Sequence, residues 1–346
     1  RAGGAEEGDR PVLYADAHAL GRVAVGDISG LGLRRAGAFA EQQRIVSAQP
    51  ARDNDTAADL HGGETAGMGR FLRRVGETKP QIARSWLAPF SASPASGFLR
   101  PLLDGLSVSQ PQWVRSFIDA SLTRGENLAP ILSFFHTHEP LDLDLVDRAA
   151  DAAFAGEDRW TMHLAFTLAI ERADALRADR ARRFYLRGLS EHVKRQTGNW
   201  PSVASRWKDN TLFDALTDDD LRVVLDALET AERIDHYGER MLADIATRMP
   251  GEVVALFGRR QNIQDALRAE DRRNRGYDAI PFKFGKLADA LAPYLDEVVG
   301  QAWKWTEADP RLAEFKGAAF VANVYKTWSK DISDALWTLF QSGEDP

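Results

Sequence analysis

The chain has 346 residues, with 44 Lys+Arg against 51 Asp+Glu, and a formal net charge of −7 at pH 7. Hydrophobic residues make up 44% and charged residues 27%, ample apolar material for a core, which excludes collagen-like and wholly disordered chains. Cysteine is absent, so a disulfide scaffold, thiol catalysis, Cys-type zinc sites and iron–sulfur ligation are excluded, and no apolar run approaches the roughly 18 residues of a membrane-spanning helix.

The sequence starts at Arg1 and continues Ala-Gly-Gly-Ala-Glu-Glu, with no apolar stretch of the signal-peptide kind. It is expected to be a piece of a longer protein. Residues 1–66 are rich in Gly, Ala and Asp and read as an irregular or helical N-terminal segment. Two apolar stretches stand out in it, Val12 to Tyr14 with Leu20, and Ile28 through Phe39. Between Gln49 and Gly67 large apolar residues almost vanish, which predicts a loop. Residues 67–250 read as helical repeats. Residues 251–346 read as aromatic-rich helical repeats continuous with them, carrying Trp303, Trp305, Trp328 and Trp337.

Pro80, Pro111 and Pro250 each precede an apolar-periodic segment and are expected in first turns, where a missing N–H costs nothing. Pro80-Gln-Ile-Ala-Arg-Ser-Trp-Leu87 aligns with Pro111-Gln-Trp-Val-Arg-Ser-Phe-Ile118 at an offset of 31. Each copy is followed by a second apolar segment, Phe98 to Leu103 in one and Leu128 to Phe135 in the other. A degenerate third unit begins near Pro140, with Val146 and then Trp160 through Ile170. Helix pairs repeating at this period are the mark of an α-solenoid, whose units bury their apolar faces only by stacking. The repeat predicts Trp86 and Phe117 in equivalent buried positions.

Leu141-Asp-Leu-Asp-Leu145 alternates, but it runs into Val146, Ala149, Ala150 and Ala153. It therefore reads as an acidic helix start with Pro140 as an early-helix proline. Thr217 before Asp218, Asp219 and Asp220 supplies a cap and a negative first turn. Helical stripes follow at Leu221, Val224, Leu225, Leu228, then at Phe284, Leu287, Ala288, Leu291, Leu295, Val298, then at Ile332, Ala335, Leu336, Leu339, Phe340.

The candidate chemistry is thin. His136-Thr-His138-Glu139, with Asp142, Asp144 and Asp147 nearby, has the residue types of a zinc or hard-cation site. The segment lies between two helices, where alternate residues point apart, so a solvated turn is expected. Asp53, Asp55, Asp59 and Glu64 fall at positions of a calcium loop that has Ala58 where the sharp turn needs Gly. Gly30-Leu-Gly32 lacks the third glycine of a dinucleotide fingerprint, and no phosphate loop, nucleophile elbow or H-E-x-x-H occurs. His163 reads as a packed helix histidine, and the C-terminal tryptophans as core. From Arg259 to Lys286 eight basic residues (Arg259, Arg260, Arg268, Arg272, Arg273, Arg275, Lys283, Lys286) stand against four acidic ones. That patch has the charge to meet phosphate or an acidic partner, although interleaved carboxylates favour internal pairing. Arg272, Arg273 and Arg275 are expected on an exposed connection.

Tyr277-Asp-Ala-Ile-Pro281-Phe-Lys-Phe284, followed by Leu287, Leu291, Trp305, Phe320 and Trp328-Ser329, resembles the C-terminal helical-repeat region of large bacterial proteins of the STAND NTPase and anti-phage defence type. Met249-Pro250 to Arg260 and Ala266-Leu267 are in keeping with it, and the resemblance covers about residues 200–346. It implies a partner-docking or sensing α-solenoid, with the NTPase and any effector lying upstream.

The sequence therefore predicts an all-α, HEAT-like solenoid. It predicts a non-catalytic, cytoplasmic protein-interaction or sensor scaffold with a protein partner and no membrane. No catalytic, cofactor-binding or metal residues and no cofactor are assigned. Two alternatives stay open: a helical enzyme with a dispersed site around His136, His138 and Glu139, and a nucleic-acid-binding module using the Arg259–Lys286 segment.

Overall fold

The computed structural model describes residues 55–341, apart from 92–93, 198–199, 210, 271–276, 282–283, 309 and 326–328. Every regular element among the described residues is helical, as the sequence predicts for an all-α chain. The helices are α1 (Asp55–Thr78), α2 (Pro80–Ser91), α3 (Leu99–Ser109), α4 (Pro111–Arg124), α5 (Leu128–Phe135), α6 (Leu143–Ala155), α7 (Arg159–Glu171), α8 (Ala173–Leu176), α9 (Ala178–Lys194), α10 (Trp200–Ala204), α11 (Leu212–Ala215), α12 (Asp218–Thr230), α13 (His236–Ala246), α14 (Pro250–Glu270), α15 (Lys286–Leu291), α16 (Leu295–Ala308), α17 (Pro310–Tyr325) and α18 (Lys330–Gln341). Short 3-10 turns occupy Pro94–Phe98 and Ser205–Asp209. None of these helices is long and apolar enough to cross a membrane.

The chain divides into two compact units, Arg1–Ser109 and Gln110–Pro346. In the first, α1, α2 and α3 pack on one another. The α1–α3 crossing is a backbone-to-backbone approach: a Cβ on Gly76 would lie 2.8 Å from the Leu106 nitrogen. Glycine is required there because its missing side chain is the space the neighbouring helix occupies. The Ser109 hydroxyl donates to the Gly76 carbonyl at 2.9 Å and closes the same crossing. Residues 55–67 continue α1, where low hydrophobicity predicts a loop. Helix propensity survives the lack of large apolar residues, because Ala, Asp and Glu are tolerated on the backbone of a helix that packs further along. Gly30, Gly32 and Asp53 lie outside the described residues.

In the second unit the packed neighbours fall into two series that alternate along the chain. The first helices α4, α6, α9, α12, α14, α16 and α18 each pack on the next in that series. The second helices α5, α7, α10, α13, α15 and α17 do the same. Local chemistry sets the starts. Pro111 and Pro250 stand at the first positions of α4 and α14. Thr217 and Asp220 form a reciprocal capping box on α12, and its stripe Leu221, Val224, Leu225 and Leu228 is buried. Asp142 caps α6, so Pro140 stands outside the helix rather than in its first turn. The single stripe expected over 284–298 is broken into α15 and α16 at Pro293, which cannot donate the bond a continuous helix needs.

The repeat at Pro80 and Pro111 holds in register but not in depth. Ala83 and Val114 are buried, as are Leu87 and Ile118. Trp86 and Phe117 match each other but are half-buried, and the two helices belong to different units. The C-terminal tryptophans divide: Trp305 packs on Phe320 with ring centroids 5.1 Å apart, whereas Trp337 is 59% exposed.

Candidate functional site

The polar side chains gather between the hairpins rather than in one cleft. A row of histidines crosses three helices, from His136 at the end of α5, through His163 in α7, to His192 in α9. The His136 ring is held by two acceptors, the Glu171 carboxylate 2.9 Å from Nδ1 and the Leu164 carbonyl 3.1 Å from Nε2. Both of these ring contacts are to oxygen acceptors. The other oxygen of Glu171 accepts from Arg206 at 2.7 Å.

Arg172 closes the same corner. It donates to the carbonyls of His136 at 2.8 Å and His138 at 3.3 Å, and to Glu139 at 2.9 Å. It thereby caps the carbonyl end of α5, which has no intrahelical partner of its own. His138 turns the other way and stacks on Phe134 with centroids 4.3 Å apart. Burial, with the Arg172 charge beside it, lowers the His138 pKa from its ordinary value. The residues the sequence offers as a dispersed site are thus drawn to separate partners: His136 to Glu171, Glu139 to Arg172, and His138 to Phe134. Asp142 meets Arg115, and Asp147 meets Arg180 and Arg183. No group of three or more His, Asp or Glu placed to hold a metal ion is found among the described residues.

His163 is half-buried, stacked on the exposed Trp160 at 5.9 Å and set edge-on to His192 at 5.7 Å. His192 is only 2% exposed and also meets Phe166 edge-on at 4.9 Å. Its Nδ1 contacts the Thr197 hydroxyl, and its Nε2 has no hydrogen-bond partner. The last turn of α9 closes in the same place. Thr197 N–H bonds the His192 carbonyl at 3.0 Å, Gln196 N–H bonds Val193 at 3.0 Å, and Gln196 takes φ 52°. That is a Schellman end with a left-handed residue other than glycine. Burial lowers both rings, His163 below its ordinary value and His192 to about 4; His136 lowers His163 further while Glu171 opposes it, and His163 and Arg195 lower His192 further.

The basic segment is dismantled in the same way. Arg260 is fully buried. Its guanidinium donates to the carbonyls of Leu228, Glu229 and Ala231 at 2.7–3.0 Å, and to those of Ala279 and Asp278 at 3.0 and 2.6 Å. It lies 4.5 Å from the centre of the Tyr277 ring, whose hydroxyl bonds the Glu229 carbonyl at 2.6 Å. Arg259 pairs with Glu229 at 2.6 Å. Arg268 and Lys286 are exposed. Arg272, Arg273, Arg275 and Lys283 lie outside the described residues.

Sequence reasoning missed Glu171, Arg172, Arg206, His192 and Thr197. One signal was present: His136, His163 and His192 are spaced by 27 and 29 residues, close to the helix-pair period. Comparisons with family models, with curated proteins and with solved structures match none of them.

Proposed function

We propose that this chain is a non-catalytic protein-interaction or sensor scaffold, a HEAT-like solenoid that serves a larger bacterial cytoplasmic protein of the STAND NTPase or defence type. The observation that carries the reading is the neighbour order of the second unit, in which successive first and second helices pack each on the next. Stacked hairpins present an extended row of helix surfaces, and such rows suit the capture of another macromolecule better than the enclosure of a small substrate. The dispersal of His136, His138, Glu139 and Asp147 into separate pairs supports the same reading, as does the burial of Arg260 away from any phosphate. The step from fold to role is an analogy with helical-repeat proteins.

The test uses the purified full chain. It is incubated with generic ester, phosphate-ester, peptide and nucleic-acid substrates, and titrated with a labelled DNA duplex. No turnover and no salt-dependent duplex binding are expected. Turnover that disappears in His136→Ala would establish the enzyme instead. Duplex binding that weakens with salt and disappears on replacing Arg268 and Lys286 would establish the nucleic-acid module. For the scaffold itself, a protein captured by the chain is purified and remixed. Saturable binding that weakens in Trp160→Ala or Tyr237→Ala is expected, both side chains being exposed on second helices.

A further inference from the structure

We propose that His136, His163 and His192 form a proton-sensitive joint between neighbouring hairpins of the second unit, one that loosens between α7 and α9 when the inner two rings become charged. The argument begins with the contacts of each ring. His136 meets an acceptor at each ring nitrogen and anchors the outer end of the row. His192 is matched to the neutral form. The Thr197 hydroxyl sends its proton to the His192 carbonyl at 3.2 Å, so the ring's Nδ1–H donates to that hydroxyl and Nε2 is left as a bare lone pair. A proton on Nε2 would create a cationic donor with no acceptor, sealed beside Phe166 and the edge of His163. A buried donor without a partner is costly, and a buried unpaired charge more so.

No carboxylate relieves a charge on His192, and the pull of Glu171 on His163 is outweighed by that ring's burial. The charged groups around the row are Glu171 at the end of α7 and Arg172 after it, Arg206 of the 3-10 turn, Glu139 before α6, and Glu191 on α9 with its partner Arg195 just past it. Glu171 is engaged by His136 and Arg206, Glu139 by Arg172, and Glu191 by Arg195 and Lys194. Toward Arg195, α6 presents the carbonyls of Phe154 and Gly156. The carboxylates that α6 and α12 turn to α9 are Asp147, Asp151 and Asp220, and Arg180, Arg183, Arg187 and Arg182 occupy them. On α8, Asp174 accepts from Thr211. The charges that act on His192 are therefore His163 and Arg195, and each opposes a proton.

The sign follows. His192 titrates at about 4 in the folded chain against an ordinary 6.5, and His163 is lowered as well. The unfolded or locally opened chain then binds more protons across that interval, so stability falls as pH falls through it and is complete above the ordinary value. The weakened element is specific. His192 shares its carbonyl and its ring with Thr197, so the charge acts on the closing turn of α9 and on the α7–α9 contact.

Hydrogen exchange on the full chain, read as protection factors at about pH 7.5 and about pH 5, tests this directly. Amides of α7 and α9 should lose roughly ten-fold more protection than those of α14 and α16 between the two conditions. His192→Asn removes the deepest titrating ring and should flatten that difference, while His163→Gln removes the other ring and one of the two charges opposing a proton on His192 and should reduce it. If His192→Asn fails to fold, the half-buried His163→Gln variant carries the test. A merely structural role would lower protection equally at both pH values and leave the difference as large as in the parent. That result, or an acid loss spread evenly over both ends of the unit, would overturn the joint.

Discussion

The two ends of the second unit are held together by different chemistry. From α4 to α14, neighbouring first helices are linked by arginine–carboxylate pairs that reach about one hairpin along the chain. Arg148 meets Asp119, Arg180 and Arg183 meet Asp147, Arg187 meets Asp151, Arg182 meets Asp220, Arg222 meets Glu252, and Arg259 meets Glu229. From α14 to α18, beside the Gly251 N–H bond to Glu297 at 3.0 Å, rings pack against rings and against small residues. Phe257, Phe284, Phe320 and Trp305 form one group with centroids 5.1–5.5 Å apart. Val299, Ala302, Val321 and Ile332 form a second buried cluster beside it. Exposed ion pairs add little stability but disfavour wrong juxtapositions, whereas buried rings add stability and tolerate small rotations. The first region thus adds a ladder of charge to its ring packing, such as Phe166 on Tyr185 and Tyr185 on Trp207, whereas the second leans on packing.

Arg260 stands where the two meet, and its loss should have the largest effect. Arg260→Met removes a cation that serves five backbone carbonyls and lies against Tyr277. Orphaned buried acceptors are costly, so a loss on the order of 4 kcal/mol is expected from urea denaturation. A loss under about 1 kcal/mol would mean that water reaches these carbonyls readily, and the junction would then count as part of the exposed, charge-specified region.

How much of this was legible follows from the range of each signal. The helical class, the capping box at Thr217 and Asp220, and the starts at Pro111 and Pro250 are local, written within four residues, and the sequence predicts them. The break at Pro293 was just as local but was overridden by an apolar stripe that ran across it. The roles of Arg260 and His192 were not legible, because a guanidinium among carbonyls and a ring behind Phe166 depend on which helices become neighbours. Trp337 shows the converse. It reads from the sequence as core, yet it is 59% exposed on α18. The arginine pairs were half legible, as interleaved charge near Arg259, without their one-hairpin reach.

The packing-specified end should respond to added volume. A Cβ on Gly258 would lie 2.8 Å from Cδ1 of Trp305, so Gly258→Ala must displace the ring that packs on Phe320. A loss of about 2 kcal/mol is expected, partly recovered by Trp305→Leu in the same chain, with thermal unfolding as the measure. A neutral Gly258→Ala would show that α14 and α16 slide past each other without resistance, and the contrast with the charge-pinned end would weaken.

The smallest effects lie in the charge-pinned region, and they separate its pairs by exposure. Arg180 grips Asp147 through two nitrogens at 2.8 and 3.0 Å, with side chains 20% and 27% exposed. Arg187 and Asp151 meet through one nitrogen and are 42% and 61% exposed. Water screens the second pair and leaves both side chains their rotamer freedom, while the two-pronged geometry of the first restricts Arg180 anyway. Double-mutant cycles to Ala should therefore give a coupling of about 1 kcal/mol for Arg180 with Asp147 and no more than about 0.3 kcal/mol for Arg187 with Asp151. Asp147 also accepts from Arg183, so the first cycle is repeated in an Arg183→Ala background to keep the second donor from masking the loss. Raising salt from low to about 0.5 M should erase the Arg187 coupling and leave most of the Arg180 coupling in place. Equal couplings for the two pairs would mean that exposure does not grade them. The pins would then act through summed charge along the helices rather than through any single well-formed pair.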